Sequence, residues 1–307
     1  HTFIMSMVGP DENLPTLIAK KDHLNALRYI RSHQLREPEL VISQGQALLG
    51  PDLSKKLSDE AARLTVLEQI CLAAVDAHDD KLADVCLSKL KQVVSKDSVR
   101  FRSLLARCLE GDGQSEGAEK IYSALLEDNP ANLMALKRKY CLLRAQVGKE
   151  LETIDALNAY LQQNIADSAG WYEMGRLCLE LGDYRAAAYA LEEVVLGCPL
   201  DSQVHCLLGE VYATLGGLEN LQLARKHLAQ SLELDDSNRR AMFSLVSATS
   251  DYLEESSKSK KNLDDHDVEV AKELVRYGAE KAIKTYKGTK MFPAVQRVMN
   301  DKTKTKE

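Results

Sequence analysis

The chain has 307 residues, 45% hydrophobic and 28% charged, with one Trp, four Phe and eleven Tyr. Ala, Leu, Glu and Lys dominate, while seven prolines and sixteen glycines are too few for an all-β protein with many tight turns; collagen-like, mucin-like and wholly disordered chains are excluded. The formal charge of −6 excludes a nucleic-acid binder with a uniformly basic surface, but residues 256–307 hold 13 Lys and Arg against 8 Asp and Glu, and the rest hold 27 against 38.

Length alone suggests about two domains. The longest run without a charged residue is the twelve residues from Leu40 to Pro51, short of the ~20 apolar residues of a spanning helix. No basic segment followed by a long apolar one is present, so no signal peptide is predicted, and Met5 or Met7 is a candidate start. The seven cysteines are odd in number and form no C-x-x-C pair. A disulfide framework or zinc ribbon is therefore not expected, and the thiols read as small buried apolar residues in a reducing compartment.

Residues 11–50 read as one or two helices, broken near Pro38 and ended by Gly50-Pro51, with Leu24, Leu27, Ile30, Leu35, Leu40, Ile42 and Leu48 as apolar positions. A first hairpin follows over roughly Leu64 to Ser98, with helices Leu64–Ala77 and Lys81–Val94 split by His78-Asp79-Asp80. Next comes a unit near Val99, with Leu105-Ala106, Leu109, Gly113, Ala118, Tyr122, Leu125 and Pro130. A unit from Leu133 carries Leu136, Leu143, Gly148, Leu157 and Tyr160.

The clearest unit starts at Ser168. Trp171, Met174-Gly175, Cys178, Gly182-Asp183, Ala187, Leu191 and Pro199 meet every spacing of the 34-residue tetratricopeptide pattern. Small residues at Gly175 and Ala187 let two helices approach, and Trp171 and Leu191 fill the space beside them. Gly182-Asp183 breaks the first helix and caps the second; Pro199 cannot continue it. The following unit begins at Ser202, with His205 in the slot of Trp171, then Leu208-Gly209, Tyr212, Gly216, Ala224 and Leu228. Its Gly217-Leu218-Glu219-Asn220 segment is expected to insert three residues into the hairpin turn. Arg239 to Leu253 reads as one further first helix.

The fold class that follows is all-α: a right-handed tetratricopeptide-repeat superhelix, or α-solenoid, with helical caps at both ends. Residues 1–60 are expected to form an N-terminal cap and 61–253 the solenoid. Residues 254–266 read as a polar linker, 267–300 as a C-terminal capping helix and 301–307 as a disordered tail. The length then counts repeats and not domains.

No phosphate-binding, dinucleotide-binding, serine-hydrolase or zinc-protease motif is present, and no histidine pair has ligand spacing on one helix face. No catalytic residue, cofactor, metal, small-molecule substrate or nucleic acid is therefore predicted. The face lined by first helices holds Lys137, Cys141 and Arg144 in one unit, Tyr172, Arg176 and Leu179 in the next, then Cys206, Glu210 and Phe243. Lys137, Arg144, Tyr172, Arg176 and Phe243 are the candidate partner-binding residues. The face reads either as a groove for an acidic or amphipathic peptide or as an ordinary solvated groove. Cys141 stands where a chaperone-tail clamp would carry Asn, which disfavours that reading.

Gly216-Gly217-Leu218-Glu219-Asn220-Leu221, Ala224-Arg225-Lys226 and Arg240-Ala241-Met242-Phe243 resemble the family of ER membrane protein complex subunit 2. Asn129-Pro130, Lys137-Arg138-Lys139, Asn158, Tyr160-Leu161, Trp171 and Asp183-Tyr184 extend the resemblance over about residues 40 to 255. The resemblance implies a non-catalytic scaffold on the cytosolic face of the ER membrane. Its partners would be membrane-embedded and soluble subunits of a complex that inserts transmembrane segments, tail anchors included. The rival reading is a soluble adaptor that binds peptide tails of chaperones or other partners.

Overall fold

A computed structural model describes residues 13–49, 59–258 and 265–304. Every regular element among them is a helix, and the chain divides into two compact units, His1–Gln146 and Val147–Glu307. The boundary falls in the turn of the hairpin expected from Leu133, where Gly148 has φ +83°. Repeats touch mainly their sequence neighbours, so one solenoid sequence divides readily into sub-units.

The first unit opens with α1 (Leu14–Ala19), α2 (His23–Ser32) and α3 (Pro38–Gln46), three helices where one or two were expected. Pro38 opens α3, where its missing N–H would have had no partner in any case. The expected stop at Gly50-Pro51 lies outside the described residues. Two hairpins follow, α4 (Glu60–Asp76) with α5 (Asp80–Leu90) and α6 (Val99–Gly111) with α7 (Ser115–Asp128), and then α8 (Leu133–Arg144). Polar caps start the helices: Asp79 accepts from the Leu82 N–H at 3.1 Å, Ser98 from Phe101 at 3.2 Å and Asn132 from Ala135 at 3.2 Å. Leu27, Ile30, Val41, Leu67, Ile70, Phe101 and Leu104 form one apolar cluster; Ala118, Tyr122, Leu125 and Ala135 belong to another.

The second unit holds α9 (Glu150–Gln163), α10 (Ser168–Glu180), α11 (Tyr184–Gly197), α12 (Ser202–Leu215), α13 (Leu218–Leu234), α14 (Arg239–Lys258), α15 (Asp265–Tyr286) and α16 (Phe292–Lys304). Its hairpins close as the spacing predicts. A Cβ at Gly175 would lie 3.2 Å from Leu191, and one at Gly209 would lie 2.6 Å from Leu228 Cγ and 3.1 Å from the Ala224 carbonyl. Trp171 is buried, donates from Nε1 to the Ile165 carbonyl at 2.8 Å and meets Tyr189 edge-on at 5.8 Å.

The chain also departs from expectation at the double-glycine turn and toward its C-terminus. The residues inserted after Gly217 do not lengthen the turn. They lengthen α13, which has 17 residues against 14 in α11, because Gly216 and Gly217 at φ +67° and +80° complete the turn alone. The expected linker 254–266 is helical at both ends: α14 runs to Lys258 and α15 starts at Asp265, while 259–264 lie outside the described residues. Lys258 pairs with Glu254 at 2.6 Å, and the Ser256 and Ser257 hydroxyls bond back to carbonyls at 2.8 and 2.7 Å, so the polar helix end forms without an apolar stripe. The expected cap over 267–300 comprises α15 and α16, turned at Gly288 with φ +84°. Residues 301–304 of the expected disordered tail continue α16, where Met299 is buried and Lys302 lies 4.0 Å from Asp251; residues 305–307 lie outside the described residues.

Candidate functional site

Five residues were expected to share one groove. Lys137 and Arg144 lie on α8 in the first unit, two turns apart, with Lys137 exposed and Arg144 half-buried. Neighbouring Arg138 pairs with Glu110 instead. Tyr172 and Arg176 lie one turn apart on α10 in the second unit, and both are exposed. Their spacing of four residues puts them on the face opposite the buried Gly170, Met174 and Leu177.

Phe243 is a correction. It is half-buried, meets the Tyr286 ring edge-on at 5.7 Å and packs against the cluster of Leu221, Val246, Leu253, Val275 and Ala279. Its register on α14 places it on the first-helix face, but α15 covers it there. Glu210 is not a free acid either. Arg240 grips both of its carboxylate oxygens, and the Ser244 hydroxyl donates to it at 2.8 Å. Glu210 also accepts from the Cys206 thiol at 3.9 Å. Burial, with the Glu210 charge next, pushes that thiol up to about 12. Tyr172 lies within electrostatic range of Arg240. The exposed part of this face therefore comprises the phenol of Tyr172 and the guanidinia of Arg176 and Arg240, the last already engaged.

Sequence spacing did not single out Arg225. Only 3% exposed, it donates to the Asp267 carboxylate at 2.8 Å and the Asp267 carbonyl at 2.9 Å. Its guanidinium also lies 4.4 Å from the Tyr252 ring centroid. Gln222 donates to the second Asp267 oxygen at 3.0 Å. Thus α13 holds the first turn of α15 through a charge pair, and α14 supplies the aromatic face. A signal was present: Arg225 shares a buried row with Leu221, Ala224 and Leu228, where an unpaired cation would be costly.

The slot of Trp171 in the preceding repeat is filled by His205, buried as expected. Its Nε2–H donates to the Pro199 carbonyl at 3.1 Å, so its Nδ1 accepts from His227 Nδ1–H at 3.0 Å. His227 is held below the ordinary histidine range, first by burial and then by the neighbouring His205. Tyr212 stacks on His227 and donates to Glu192; burial and that carboxylate push its phenol up. No group of three His, Cys, Asp or Glu among the described residues is placed to hold a metal ion. Of the seven thiols, Cys71, Cys86, Cys108, Cys178 and Cys206 are buried as expected, whereas Cys141 is half-buried and Cys198 exposed.

Residues 81–232 match the model of the EMC2 TPR-like repeat domain. ER membrane protein complex subunit 2 of Xenopus tropicalis is 36% identical over 225 residues, which is 73% of this chain and 74% of the frog protein. The chain belongs to the ER membrane protein complex subunit 2 family. The Dictyostelium discoideum member is 31% identical over 211 residues, covering 69% of this chain and 65% of that one. A Schizosaccharomyces pombe relative, TPR repeat protein oca3, is 26% identical over 191 residues, covering 62% of this chain and 67% of that one. The subunit 2 family match includes α12, the double-glycine turn and most of α13, so Arg225 lies within the family domain while its partner Asp267 lies beyond it.

Proposed function

We propose that the protein is a non-catalytic scaffold subunit of the ER membrane protein complex. It works at the cytosolic face of the ER membrane, is held there by partner subunits, and supports insertion of transmembrane segments, tail anchors included. The observation that carries this reading is family membership at 36% identity over three-quarters of a relative that bears that complex's name. Two features support it. No helix among the described residues is long and apolar enough to cross a membrane, which suits attachment through partners. The exposed Tyr172–Arg176 pair offers an aromatic contact and a bidentate donor for a carboxylate-bearing segment of a partner.

Depletion of the protein in its own cells, followed by a glycosylation-tagged tail-anchored reporter, tests the insertion role. Wild-type chain is expected to restore reporter glycosylation. The Tyr172→Ala/Arg176→Glu variant is expected to restore several-fold less, with loss of a partner subunit from the purified complex. Unchanged glycosylation on depletion would overturn the insertion role. Full rescue by the double variant would remove the α10 face from it.

A further inference from the structure

The C-terminal corner carries cations that the fold does not use. Residues 284–304 contain six Lys and Arg against one carboxylate, Asp301. Lys281 and Lys302 are tied to Asp236 and Asp251 at 3.5 and 4.0 Å. Lys284, Lys287, Lys290 and Arg297 are exposed, and among the described residues none of the four has a carboxylate partner.

Three of the four flank one turn, and the fourth lies on the helix that follows it. Lys284 stands in the last turn of α15, two positions past buried Ala282 and so on the outward side. Lys287 and Lys290 flank Gly288, where the chain turns. Arg297 is two positions past buried Val295, on the outward side of α16. Apolar groups are interspersed. Met291 and Val298 are 58% and 52% exposed, and exposed Ala294 lies between them at helical spacing.

We propose that this corner binds the surface of a membrane containing anionic phospholipid. Long cationic side chains reach headgroup phosphates, while Met291 and Val298 enter the shallow apolar boundary beneath them. An acidic peptide fits less well. On two helices joined by a short turn, few backbone groups are free to pair with a second chain, so a peptide would find scattered side chains only. The inference deepens the proposed place at the ER membrane and rests on that reading for which membrane is met.

Sedimentation of the purified full-length protein with phosphatidylcholine vesicles, with and without phosphatidylserine, tests the inference. Binding is expected only with phosphatidylserine and is expected to weaken as salt rises. At about fivefold per cation, Lys287→Ala/Lys290→Ala should weaken binding roughly 25-fold. Met291→Ser/Val298→Ser should weaken it at high salt, where charge is screened. All four side chains are exposed, so the variants should keep the wild-type melting temperature. Equal binding to both vesicles, no binding, or unchanged binding of the Lys287/Lys290 variant would overturn the inference. So would retention on RNA or polyglutamate without vesicle binding. Co-purification with ER membrane subunits reads complex membership separately, and it should survive in the Lys287/Lys290 variant.

Discussion

Arg225 shows how one side chain fixes the end of the repeat array. It is buried, so its charge must be answered locally, and Asp267, Gln222 and the Tyr252 ring complete that site. Asp267→Ala leaves the buried cation with the backbone carbonyl and the Tyr252 ring but no counter-charge, at a cost of about 2–4 kcal/mol, discounted from a fully buried pair because Asp267 is partly exposed. The expected outcome is a fall in Tm of about 5–10 °C by calorimetry, with Arg225→Met/Asp267→Ala recovering part of it. A second residue-scale prediction concerns pH. His227 is held below the ordinary value near 6.5, so the unfolded chain binds its proton first as pH falls. Stability should therefore decline from about pH 7 through 6.5 and below, and flatten once the folded histidine is also protonated. Urea midpoints measured across that range should fall less in His227→Gln. The burial of His205 could be read in the sequence because the repeat register fixes the slot. The covering of Phe243 could not, because Tyr286 reaches it from beyond the repeats.

At the scale of elements, the small-residue positions of each hairpin are where two helices come closest. Gly209→Ala gains up to about 1 kcal/mol of helix propensity but drives its Cβ into Leu228 and the Ala224 carbonyl, which costs about 1–3 kcal/mol. The clash is against a branch carbon and a backbone atom, so the net change is expected to be destabilising by about 1 kcal/mol. A lower urea midpoint with an unchanged slope checks it. Most hairpins could be read because glycine turns, capping aspartates and the 34-residue period agree. Elements went astray where polarity was taken for irregularity. Residues 254–258 form a helix through side-chain ties that leave no apolar period. The inserted residues after Gly217 became helix because two glycines already make the turn.

For the whole molecule, the uneven charge acquires a location. The acidic excess lies along the repeats, and the basic excess gathers from the last turns of α15 through the Gly288 turn and α16. Family membership could be read from the Gly216–Leu221 segment, since that hairpin is far more specific than the generic repeat. The place of the division into two compact units, between Gln146 and Val147, could not, because the unit from Leu133 keeps nearly the same length as its neighbours. The central claim is that the chain is a subunit of a membrane-embedded complex. Affinity purification of the tagged full-length protein from detergent-solubilised membranes, with its partners identified by mass spectrometry, tests it most directly. The account predicts that integral ER membrane proteins co-purify in fixed proportion to the chain. Recovery of the chain alone, or with soluble chaperones and no integral membrane protein, would contradict it.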